Sequence, residues 1–160
     1  MGISASIDIK APASIVWKWI TDPDCLVQWL PGLVSDEVIE EKEGHVGTRF
    51  KQVWNHGGKD MDMTGVVKES VENERIVVDL DCSFFAMTIE DDLAHADGVT
   101  RLTQTSHVRY KGCMILMGWL FSLLMKGKMK RQTLEQLQTL KSFCEADARG
   151  EAAPSDGADA

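Results

Sequence analysis

Several features are missing from this 160-residue chain, and each absence removes a class of function. Cys25, Cys82, Cys113 and Cys144 lie far apart, with no Cys-x-x-Cys pair. Neither a disulfide framework nor a thiolate zinc site is expected, and the four read as reduced thiols packed as small hydrophobes. The histidines, His45, His56, His95 and His107, contain no i, i+4 pair and no His-Glu-x-x-His helix, the pattern of zinc hydrolases. No Gly-x-Ser-x-Gly elbow presents a serine nucleophile. Basic residues are the minority, 17 against 25 acidic for a net charge of −8. Binding to nucleic acid is therefore not expected, because that affinity rests on neutralising phosphates. No metal, nucleotide or other cofactor is expected. The longest mainly apolar run, Cys113 to Met125, is shorter than the roughly 20 residues that span a bilayer. Met1 to Lys10 alternates apolar and polar residues and lacks the apolar core of a secretory signal, so the cytoplasm is the expected location.

What remains has the balance of one globular domain, 44% apolar and 26% charged, with enough chain to bury a sizeable core. Ile3, Ala5, Ile7 and Ile9 alternate with polar residues, the period of a half-buried strand. Ala11-Pro12-Ala13-Ser14 breaks it, and either Ser14 as N-cap or Pro12 in the first turn opens a short helix carrying Val16, Trp17 and Ile20. Asp22-Pro23-Asp24 ends that helix, Cys25 to Leu30 gives a second, and Pro31-Gly32 stops it. From Leu33 to Lys111 strand follows strand. Phe50, Gln52 and Trp54 share a face, as do Met61, Met63, Gly65 and Val67, then Ile76, Val78, Leu80, Cys82 and Phe84, then Met87, Ile89 and Leu93. His56-Gly57-Gly58, Glu72-Asn73-Glu74 and Ala96-Asp97-Gly98 are turns, the last a strong hairpin signal. On the final strand Leu102, Gln104, Ser106, Val108 and Tyr110 lie on one side.

From about Cys113 to Ala148 the period becomes helical, with Leu120, Leu124, Leu134, Leu137 and Cys144 near one stripe. Some 30 helical residues reach about 45 Å, enough to cross a sheet. Gly118 and Gly127 are points where such a helix bends or begins late. The fold class is therefore α+β, a strand, two short helices, about six strands and one long helix. The antiparallel sheet covers its apolar face with the C-terminal helix, and the short helices plug one end. Residues 1–148 form this domain, and the Ala/Gly/Asp/Pro/Ser-rich tail, 149–160, is expected to be disordered.

Ile9-Lys10-Ala11-Pro12-Ala13 with Val16-Trp17, Thr21-Asp22-Pro23, Trp29-Leu30-Pro31-Gly32, Gly47-Thr48-Arg49-Phe50, Met63-Thr64-Gly65-Val66-Val67 and Gly98-Val99-Thr100-Arg101-Leu102-Thr103 occur in that order. In order and spacing they resemble the START-like superfamily, which includes polyketide cyclases/dehydrases, lipid-transport proteins and birch-pollen-allergen-like proteins. The resemblance runs from about Ile3 to Ala146 and implies a helix-grip fold around a cavity for lipids, sterols, polyketides or hormones. It implies no catalytic residue, because the superfamily shares no catalytic signature.

The leading expectation is a module that binds or carries a small hydrophobic molecule in a pocket lined by Phe50, Gln52, Trp54, Met63, Gln104, Ser106, Val108, Tyr110, Leu120 and Leu124. Gln52, Gln104 and Ser106 fall on the apolar face, where they either bond one another or a water, or orient a polar ligand head. The superfamily's last strand is usually apolar or aromatic at such positions. Asp60 and Asp62 share a solvated strand face. Asp91 lies on the Met87 face and is read as the wet end of its strand, the alternative being a pocket acid of raised pKa. The many methionines read as core, or as a pliable lining for several greasy ligands. Met114 to Met125 reads as core, followed by Lys126, Lys128, Lys130 and Arg131. If Ile115, Trp119 and Leu123 point outward, 114–131 makes a membrane or homodimer contact instead. Two further functions stay open: a metal-free cyclase/dehydrase using Asp91 or Tyr110, and a membrane-associated accessory or assembly factor for a larger enzyme.

Overall fold

A computed structural model of the chain describes residues 2–151. The element order is β1 (Gly2–Ile9), α1 (Ala13–Thr21), α2 (Pro23–Trp29), β2 (Leu33–Glu40), β3 (Arg49–His56), β4 (Lys59–Val71), β5 (Arg75–Asp81), β6 (Phe85–Ala96), β7 (Val99–Tyr110) and α3 (Met114–Ala148). The six strands β2 to β7 form an antiparallel meander, and β1 pairs with β7, giving the order β1-β7-β6-β5-β4-β3-β2. This is the expected helix-grip α+β architecture. The tail's expected disorder concerns mostly 152–160, which lie outside the described residues.

Local chemistry explains the corners. Asp97 and Gly98 adopt φ of 52° and 76°, so two residues suffice to join β6 to β7 at the Ala96↔Val99 pair. Pro12, not Ser14, occupies the N-cap of α1, and no side chain caps it. Asp22 ends α1 and begins α2, its carboxylate accepting from the Asp24 N–H at 2.9 Å. Phe84 was expected to extend the β5 set but stands outside the strand and is exposed.

The main core gathers at the β1 side. Ile9, Leu102, Leu137, Leu140 and Cys144 are fully buried there, with Trp19 and Trp29 beside them. Burial pushes the Cys144 thiol up to about 12, so it behaves as an inert packed hydrophobe. Polar ties lock this core. The Trp19 indole donates to Asp147 at 2.9 Å, Lys18 pairs with the same carboxylate, and the Trp29 indole donates to the Trp19 carbonyl at 2.8 Å. Only the C-terminal half of α3 takes part. The helix runs unbroken through Gly118 and Gly127. A side chain at Gly118 would lie 2.5 Å from the Tyr110 ring, so that glycine is a contact rather than a bend.

Candidate functional site

The sheet does not close on α3 over its whole width. Between β2–β7, the two short helices and the middle of α3 lies a cavity of about 630 Å³. Its size suits one drug-sized molecule, since ligand pockets run on the order of 300–1,000 Å³. The strand alternation turns Phe50, Trp54, Met63, Leu80, Met87 and Val108 into it, while Trp17, Leu26 and Leu30 supply the wall from α1, α2 and the turn after α2. Met63 and Leu80 are 3% exposed, so this face is packed as well as lined. Gly65 has a role here: it pairs with Phe50, and a Cβ on it would lie 2.1 Å from the Phe50 ring. The ring lies over the glycine, which only a residue without a side chain permits.

Two polar couples interrupt the apolar wall, and both are cross-strand pairs. Asp36 of β2 is registered with Gln52 of β3, and the Gln52 amide donates to the Asp36 carboxylate at 2.8 Å. The Gln52 carbonyl accepts from the Trp54 indole at 3.0 Å, which fixes the amide orientation. Asp91 of β6 is registered with Gln104 of β7, and the Gln104 amide donates to it at 3.0 Å. The two amides thus satisfy carboxylates on neighbouring strands rather than each other. Burial raises the Asp36 carboxyl, and the Gln52 hydrogen bond opposes it. Asp91 is 7% exposed, and burial pushes its carboxyl up to about 7 against the Gln104 hydrogen bond. Among the described residues no buried side-chain nitrogen or oxygen lacks a partner.

Of the residues expected from the sequence, Phe50, Gln52, Trp54, Met63, Gln104, Ser106 and Val108 line the cavity. Tyr110 does not; its ring sits on Gly118. Leu120 and Leu124 are 57% and 78% exposed and stand outside it. The reason is helical phase: the face of α3 turned inward carries Gly118, and Leu120 lies about 200° around the helix from it. Met129, Gln132, Thr133 and Gln136 line the cavity from α3 instead. The placement of Asp91 at a wet strand end is also overturned, since it is buried in the cavity wall. So is the reading of Met114 to Met125 as core, since most of that stretch is exposed. Asp36 was missed; its signal was its position between Val34 and Val38 on an otherwise apolar face. Among the described residues no His/Cys/Asp/Glu cluster is disposed to hold a metal ion.

The family model for activator of Hsp90 ATPase homolog 1-like proteins matches residues 10–141. Three solved structures share the fold. A Thermus thermophilus protein, TTHA0849, is 21% identical over 92% of this chain and 99% of its own, with TM-score 0.74. The Zhui aromatase/cyclase of Streptomyces sp. R1128 is 16% identical over 97% and 98%, with TM-score 0.74. A START superfamily protein of Mycobacterium smegmatis is 17% identical over 93% and 97%, with TM-score 0.70. A search of curated proteins finds no match.

Proposed function

The chain belongs to the family of activator of Hsp90 ATPase homolog 1-like proteins, and from its cavity we propose that it binds and carries one small, mainly apolar molecule with hydrogen-bonding groups at two points. The observation behind this reading is the 630 Å³ space itself, walled by apolar side chains and broken by the Asp36–Gln52 and Asp91–Gln104 couples. Apolar walls supply affinity in proportion to area removed from water, and sparse polar groups select orientation. Methionines on the wall adapt to irregular ligand shapes. Native mass spectrometry of the purified chain tests this. A co-purified small molecule, or saturable uptake of an apolar fluorescent probe, is expected, and neither appearing would rule the reading out. Gln104→Leu should change which ligands are retained; an unchanged ligand profile removes the selecting role of that couple.

Asp91 favours a second reading, a proton-transfer enzyme of the cyclase type. A carboxyl near pKa 7 inside an apolar cavity exists in both protonation states at neutral pH, as a general acid or base requires. Turnover of a polyketide-like substrate with a pH–rate inflection near 7 that Asp91→Asn abolishes is the outcome of this reading. Binding without turnover leaves carriage. The same group makes a stability prediction. Its folded pKa lies above its ordinary 3.8, so between the two values the folded state holds more protons than the unfolded. Stability is therefore highest below pH 4 for this group and falls as pH rises through about 7, by up to about 4 kcal/mol. The difference in urea unfolding stability between the wild type and Asp91→Asn should show this decline across that range, because the other shifted carboxyls are common to both.

A further inference from the structure

The N-terminal half of α3 is the largest apolar surface left uncovered. Its inward stripe, Met114, Gly118, Ser122 and Met125, is half-buried or buried. Around the remaining arc Ile115, Leu116, Trp119, Leu120, Leu123 and Leu124 are 57–80% exposed. At 100° per residue, and with Met117 and Phe121 also exposed, these positions cover about two-thirds of the helix circumference. The arc is about 18 Å long over 12 residues, and an apolar surface of that kind on a free protein marks a contact site.

Charge identifies what covers it. No acidic residue occurs between Asp97 and Glu135, although the chain has 25 of them. The same interval holds Arg101, Arg109, Lys111, Lys126, Lys128, Lys130 and Arg131. The last four directly follow the apolar arc on α3, and all are exposed. By helical phase Lys126, Lys130 and Arg131 lie in the arc's own sector and Lys128 at its edge, so the cations continue the arc along the helix axis. A chain with net charge −8 has thus gathered four cations at the border of its bare apolar surface, of which Arg131 is paired with Glu135 at 3.1 Å on an exposed helix face. That arrangement matches an anionic bilayer surface: acyl chains meet the arc and phosphate headgroups meet its basic rim. No described helix is long and apolar enough to cross a membrane, so the contact lies in one leaflet.

We propose that the 114–131 segment of α3 is a docking element for anionic membrane, inserting its apolar arc among the acyl chains of one leaflet with Lys126, Lys128, Lys130 and Arg131 on the headgroups. The placement bears on the cavity. A groove lined by Pro31, Lys128, Arg131 and Glu135 adjoins it, and the two share Gln132 and Gln136. Docking through the basic rim sets that side of the cavity against the bilayer. The inference stands whatever the cavity holds.

Sedimentation of the full chain with vesicles tests it. Binding to phosphatidylcholine vesicles containing about 30% phosphatidylglycerol is expected at low salt, with much weaker binding to pure phosphatidylcholine. Each neutralised cation should lower partitioning by roughly fivefold, so changing all four basic residues to Gln should lower it by more than roughly 100-fold. Leu116→Glu with Leu124→Glu should abolish binding; both side chains are exposed, and unchanged thermal unfolding verifies the fold. Trp119 emission should shift to the blue on anionic vesicles and be quenched by brominated acyl chains. Absence of binding to anionic vesicles at low salt overturns the proposal. So does equal binding by the four-Gln variant. So does sedimentation equilibrium showing a stable dimer that Leu116→Glu with Leu124→Glu dissociates, because the arc would then be covered by a second copy.

Discussion

The two halves of α3 invert the usual relation between hydrophobicity and burial. Met114 to Met125 contains ten apolar side chains, one serine and one glycine, and it lies mostly in solvent. The half ending at Ala148 carries Gln, Glu, Lys and Thr at regular intervals, yet it buries Leu137, Leu140, Phe143 and Cys144 completely or nearly so. Burial follows from periodicity and partners. The second half has one apolar stripe, and that stripe meets β1 and α1. The first half is apolar on nearly every side, and the sheet meets it at Gly118 through Tyr110. A helix apolar all round implies that something apolar surrounds it, and in this chain alone nothing does.

Paired substitutions sharpen that contrast, the largest first. Leu140→Ala removes a fully buried side chain and should cost about 2–5 kcal/mol in urea unfolding. Leu124→Ala, the same chemistry at 78% exposure, should stay within about 0.5 kcal/mol. Equal losses would break the comparison. Next, Gly118→Leu forces atoms into the Tyr110 ring, the contact that seats the first half on the sheet. A loss of about 1–3 kcal/mol is expected, with faster amide exchange confined to 114–125. The smallest effect is Gly127→Ala. Nothing lies within 4 Å of a Cβ there, so the substitution should stabilise the helix by up to about 1 kcal/mol through propensity alone. Stability unchanged by it would mean that the first half of α3 is already unfolded in solution.

The fold was legible because strand alternation and turn chemistry are local. The Ile3–Ile9 period, the Asp97-Gly98 hairpin and the short helices around Asp-Pro could each be read without their partners. The strand side of the cavity was legible for the same reason, and alternation alone placed Phe50, Gln52, Met63 and Gln104 on its wall. The helix side was not. Choosing which face of α3 turns inward requires knowing that Gly118 receives Tyr110, a contact between residues on different elements. The apolar stretch offered no polar face from which to infer phase, so Leu120 and Leu124 were assigned to the wrong side. Asp91 was misplaced because a carboxylate is usually solvated. What keeps this one inside is Gln104, a partner fixed by strand register rather than by nearby sequence.

The ties that hold the end of α3 have a mechanical side. Lys18 and Trp19 grip Asp147, and Phe143 packs against Trp19 at 5.1 Å between ring centroids. The helix is thus a rod clamped at one end, with the Tyr110 ring against Gly118 near the other. From Thr133 to Met114 the free arm measures about 30 Å, so a tilt of about 10° at the clamp sweeps the tip through about 5 Å. Met129 and Thr133, which touch the cavity, sit close to the fulcrum. A displacement of α3 at Met129 would by this geometry be severalfold larger at the far end of the rod.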